Sequence, residues 1–180
     1  MKQMILRIVV YTCIVIGAFT LQTSVAHFFA LANITPNFLL VTVMAAGLMR
    51  GRKAGTAVGF FAGLLIDIFF GEYLGIYAFI YMMFGFVNGF FNHMFYAEEV
   101  IFPIAMVAVN ELAYGIVIYF FFYLMRSRWN FFAYFKSIIM PELIYTLLVS
   151  LVFYFILLWA DSKLQTFEKG VHRRVTKNKR

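Results

Sequence analysis

Six stretches of this chain are long runs of apolar residues separated only by short polar breaks. They fall at 5–27, 38–49, 53–70, 74–95, 100–125 and 138–160. A helix needs about 20 mostly apolar residues to cross the hydrocarbon core of a bilayer. A chain in lipid must also pair its own backbone polar groups, which an α-helix does internally. The pattern therefore predicts an all-α integral membrane protein, a six-helix transmembrane bundle over 1–160 followed by a basic tail at 161–180. Composition agrees: 64% of the residues are hydrophobic, 13% are charged and the mean hydropathy is +0.88. Soluble domains carry roughly 25% charged residues, so this chain could not clothe its surface in water. The second stretch is short for a full span, which leaves a tilted or partly re-entrant course open. Thr35-Pro36-Asn37 opens it, with a proline suited to a first helical turn.

Lysine and arginine set the orientation. Arg50, Arg52 and Lys53 lie in one connection, seven more follow residue 160, and Lys2 and Arg7 precede the first span. With six spans, twelve of the 15 positive residues fall on one side, which predicts that both termini are cytoplasmic. The connection at 126–136 carries the other three and runs against the rule. Lys2, Arg7 and the small residues of Ser24-Val25-Ala26 resemble a secretory signal, but no soluble domain follows. The expectation is an uncleaved first helix.

Glycine recurs at every fourth position between 47 and 75, with Asp67 in place of one. Residues four apart lie on one helix face. In lipid such a stripe lets another backbone approach closely. Gly55, Gly59 and Gly63 are expected to form the groove, with Gly47 and Gly51 in the preceding turn and Gly71 and Gly75 in the next. Gly85 and Gly89 repeat the spacing on the fourth span and predict an antiparallel hairpin with close backbones.

Charge at membrane depth is costly and marks candidate sites. Asp67 has two readings: a cap for the exposed amides after Gly71, or a contact to a partner or substrate. Glu111, beside Asn110 in the middle of the fifth span, must be protonated or paired. It could hydrogen-bond Asn88, Asn92 or Gln22, or serve as a ligand or proton site. Glu142, after Pro141, is expected near the outer end of the sixth span and is more easily solvated. The aromatic run from Tyr119 to Tyr123 reads as an interface belt rather than a cofactor box. Arg50, Arg52, Lys53, Arg173 and Arg174 are the candidate cytoplasmic basic residues.

Several classes of function lose support. Cys13 is the only cysteine, so no internal disulfide forms. His27, His93 and His172 lack metal-ligand spacing. No nucleophile motif, phosphate loop or dinucleotide fingerprint occurs. The tail lacks the aromatics or motif of a nucleic-acid binder and suits anionic lipid instead. No enzyme, metal or cofactor is expected.

Leu21-Gln22-Thr23-Ser24, Thr35-Pro36-Asn37-Phe38-Leu39-Leu40 and the block from Gly55 through Gly59, Phe60, Gly63, Leu64, Leu65, Asp67, Gly71 and Leu74 to Gly75 resemble the rod shape-determining protein MreD family. The resemblance is strongest over 21–89. It implies a non-enzymatic scaffold of the bacterial cell-elongation machinery in the cytoplasmic (inner) membrane. The implied partners are MreC, a bitopic membrane protein, and indirectly MreB and the peptidoglycan polymerase and transpeptidase. It also implies a fold similar to the substrate-binding subunits of energy-coupling-factor transporters. That likeness supplies an alternative, a vitamin-binding subunit with a ligand near Asp67, Glu72 or Glu111.

Overall fold

The computed structural model describes residues 2–28, 35–71, 73–95, 101–124 and 131–177, and of these the side chains of 2–5, 25–28, 123, 124, 165 and 168–177 are not described. The described residues form six helices. These are α1 (Lys2–Phe28), α2 (Phe38–Arg50), α3 (Arg52–Phe70), α4 (Ile76–Asn88), α5 (Ile101–Ile118) and α6. A tighter 3₁₀ segment, Gly89–Met94, prolongs α4, and a wider π-helical one, Tyr119–Leu124, prolongs α5. We count α6 as one helix in which Phe131–Tyr134, a π-helical Phe135–Ile139 and Met140–Lys177 run on without a break. It begins ahead of the sixth apolar stretch and carries the basic segment onward as helix. Four helices contain windows long and apolar enough to cross a membrane: Leu6–Ser24, Arg52–Phe70, Ile101–Phe122 and Phe131–Leu164.

Helix α2 is the centre of the molecule. Every residue from Phe38 to Leu48 is buried, and α1, α3, α4, α5 and α6 all pack against it. Its sequence lacks the polar face that a surface helix would need. With 13 residues it is about 20 Å long, well short of a hydrocarbon core. Its ends therefore need partners inside the protein. At the start, Asn37 Oδ1 accepts from the Leu40 amide at 3.1 Å, and Gln22 Oε1 of α1 accepts from the Leu39 amide at 3.1 Å. At the end, Asn92 Nδ2 donates to the Leu48 carbonyl, and the Gly51 amide donates to Gly47 O at 2.8 Å. Gly51 has φ +81, a left-handed conformation that suits glycine, and it turns the chain directly into α3.

The outward surfaces are apolar, as a lipid-facing surface must be. Phe60, Phe61, Phe69 and Phe70 stand out from α3, and Leu151, Val152, Phe155, Ile156 and Trp159 line a shallow open groove on α6. Tyr119 departs from the expected aromatic belt. It is buried, and its ring meets those of Phe131 and Tyr134 with centroids 5.0 and 5.1 Å away.

Candidate functional site

Helices α3 and α4 run antiparallel with their backbones in contact. A Cβ at Gly55 would strike the Gly85 carbonyl, one at Gly59 the Tyr81 carbonyl, and one at Gly63 the Tyr77 carbonyl and Ala78. Gly85 faces Gly55 in return, and Gly89 sits on the backbone of Arg52. Residues four apart on one helix thus meet residues four apart on the other. This chain's own α4 fills the groove, so it offers no seat to a partner helix. Gly47 also belongs to it, against the expectation from sequence. A Cβ there would come within 2.9 Å of Gly85 O and 3.0 Å of Asn88 Cβ, while Gly55 abuts the Gly47 backbone. The α2–α3 turn folds both glycines onto α4, which spacing along one helix could not reveal.

Asp67 closes the far end of this hairpin. Its Oδ2 accepts from the amides of Gly75 at 3.0 Å and Ala78 at 2.9 Å, and its Oδ1 accepts from Tyr77 at 3.0 Å. These are the amides that the first turn of α4 leaves without helical partners. A carboxylate there also complements the positive end of the helix dipole. Asp67 is buried, and Gly75, at φ +102, makes the turn that aims the amides at it. The capping geometry occupies both carboxylate oxygens. Glu72 lies outside the described residues.

A second polar group is sealed among α2, α4, α5 and α6. The Tyr81 hydroxyl donates to Asn37 Oδ1 at 2.9 Å, and the Asn37 amide donates to Thr146 Oγ1 at 3.1 Å. Tyr81 is fully buried, and the ring of Tyr114 meets it edge-on with centroids 5.5 Å apart. Glu111 borders this group, with Glu142 and Thr146 of α6 acting on it electrostatically. It is only 2% exposed, and neither carboxyl oxygen has a well-formed hydrogen bond, although the Thr146 hydroxyl acts on it as a donor. Glu142 is half-buried rather than freely solvated.

The expected partners of Glu111 are engaged elsewhere. Asn88 and the neighbouring Asn110 exchange reciprocal bonds, Asn88 Nδ2 to Asn110 Oδ1 at 2.6 Å and Asn110 Nδ2 to Asn88 Oδ1 at 2.9 Å. Each amide also donates to a carbonyl one turn back on its own helix, Phe84 and Met106. Asn92 and Gln22 serve the two ends of α2. Nothing local in the sequence marks Tyr81 or Thr146. The only local signal was Asn37 after a proline at a helix start.

At the opposite end, Arg50 is an internal tie rather than a free basic residue. Its Nε donates to Asp161 Oδ1 at 2.6 Å, and the Tyr11 hydroxyl donates to the same oxygen at 3.1 Å. The pair is nearly closed off, with side-chain exposures of 10% and 7%, and it joins α1, α2 and α6. Arg52 and Lys53 are exposed, and the Arg52 guanidinium lies 4.4 Å from the centroid of the Phe90 ring. The side chains of Arg173 and Arg174 lie outside the described residues. No group of three or more histidine, cysteine, aspartate or glutamate side chains suited to a metal occurs among the described residues.

Fold and site together define a helical, multi-spanning membrane protein whose polar groups are turned inward to join helices. The family model for the rod shape-determining protein MreD matches residues 2–159, and the chain belongs to that family. The family is one of non-enzymatic, shape-determining membrane proteins. No curated protein and no solved structure matches the chain.

Proposed function

We propose that this protein is a non-enzymatic scaffold of the bacterial cell-elongation machinery. In this reading its bundle, residues 1–160, holds MreC and neighbouring wall-synthesis proteins by packing of transmembrane helices. Membership of the rod shape-determining family carries the reading. The inward-facing polar groups support it, because they fix helices to one another and leave apolar outer faces for partner helices. In this reading the protein lies in the bacterial inner membrane with both termini in the cytoplasm, and 161–180 is a basic tail against anionic lipid. MreB and the peptidoglycan polymerase and transpeptidase would then be indirect partners.

The glycine groove is closed by α4, so the partner helix belongs on an outer face. The apolar groove of α6, around Phe155 and Trp159, is the candidate. A photoreactive residue at position 155 or 159 should crosslink MreC in intact membranes, and one at buried Ala46 should not. Recovery of no MreC from these or any other outer position would overturn the reading.

One observation favours the rival, a vitamin-binding subunit similar in fold to those of energy-coupling-factor transporters. Asn37, Tyr81, Tyr114, Glu111, Glu142 and Thr146 converge as such a site would require. However, Asn37, Tyr81, Glu111 and Thr146 are each at most 2% exposed, and Asn37 bonds both Tyr81 and Thr146. A stoichiometric vitamin in the purified protein would favour the rival.

A further inference from the structure

Glu111 is the one carboxyl among the described residues whose two oxygens are buried without a well-formed hydrogen bond, the Thr146 hydroxyl being the side-chain donor that acts on it. Asp67 has three amides and Asp161 has Arg50 and Tyr11. The groups facing Glu111 come from each element around it. From α6 come Glu142 and Thr146 and from α4 Tyr81, behind which Asn37 of α2 and Tyr114 of α5 contact Tyr81. One of these is a second acid and none is a cation. Arg50 is paired at the opposite end of the bundle, and Arg52, Lys53, Lys136 and Lys163 are exposed. An ionised carboxylate enclosed beside another carries a desolvation penalty that no cation among the described residues offsets.

We propose that Glu111 is a proton-binding site inside the membrane, a buried carboxylic acid that takes up one proton beside Glu142. The half-buried Glu142 is the side of the site through which the proton enters and leaves. Thr146 accepts from the Asn37 amide and so keeps its own hydroxyl proton free to turn toward Glu111. Proton release leaves two like charges between α5 and α6, which must separate or admit a cation. The site therefore couples occupancy by a single proton to the seam between these helices. The inference is independent of the scaffold reading.

The test uses the full-length protein in lipid nanodiscs and dicyclohexylcarbodiimide, an apolar reagent that traps protonated carboxyls as stable adducts. Peptide mapping by mass spectrometry should find an adduct on Glu111 at neutral pH, declining as the pH is raised. It should persist in Glu142→Gln and vanish in Glu111→Gln. Infrared spectra of the unmodified protein give a readout without any variant: a protonated-carboxyl C=O band that bleaches as the pH rises. Absence of both the Glu111 adduct and the band at neutral pH would overturn the proposal. So would protection of Glu111 by sodium ions at fixed pH, which would assign the site to an alkali cation instead.

Discussion

The amide of Ala78 donates to Asp67 Oδ2 at 2.9 Å, buried and eleven residues along the chain. With the bonds from Gly75 and Tyr77, it fixes where α4 begins relative to where α3 ends. Asn at position 67 keeps one acceptor oxygen and turns an amide donor toward other donors. Asp67→Asn should therefore cost about 1–3 kcal/mol, the range for an unmatched buried hydrogen bond. Asp67→Ala should cost at least as much. Thermal unfolding in detergent reads both, and midpoints equal to the parent would remove the capping role.

Glycine should behave differently on two faces of the same protein. Gly59→Ala drives a methyl into the Tyr81 carbonyl. Since backbone cannot step aside as a side chain can, about 1–3 kcal/mol of overpacking should follow. Gly17, within α1, has nothing within 4 Å of an added Cβ. Gly17→Ala should be neutral or stabilising by about 0.5–1 kcal/mol, the helix-interior preference for alanine. Opposite signs in one denaturation series are the expected result.

The reciprocal pair of Asn88 and Asn110 should show measurable coupling. A double-mutant cycle with alanine at each position should return about 0.6–1.7 kcal/mol, as for hydrogen bonds between membrane helices. Additive single effects would mean that the two amides act only on their own helices.

Removal of Arg50 should be the most damaging single change at its end of the bundle. Arg50→Ala removes the guanidinium that donates to a nearly enclosed Asp161, a loss of about 3–5 kcal/mol. The double variant Arg50→Met with Asp161→Leu should recover much of that stability, because a buried ion pair is not intrinsically superior to apolar packing. Thermal midpoints of the single and double variants decide it.

Features set by local spacing could be read from the sequence. Glycine at 55, 59 and 63 announced a backbone contact, because only the lack of Cβ at helical spacing permits one. Asp67 could be matched to the amides after Gly71 because only a few residues separate them. The polar pairings could not be read. Asn88 meets Asn110 across 22 residues, Asn37 meets Thr146 across 109, and Arg50 meets Asp161 across 111. Those contacts depend on how α2 is surrounded, and no periodicity encodes that. The same holds for Gly47, whose role depends on the turn at Gly51. Asp161 carries no such signal either, because it adjoins a basic tail and looks solvated in one dimension.

The central claim is that this chain determines cell shape as a membrane scaffold. The most direct measurement is cell shape by microscopy when the protein is depleted from its bacterial host and then restored. The account predicts that rods become round on depletion, that the parent chain restores them, and that Gly59→Leu, which cannot close the α3–α4 hairpin, does not. Rods that persist through depletion while uptake of a vitamin is lost would contradict it.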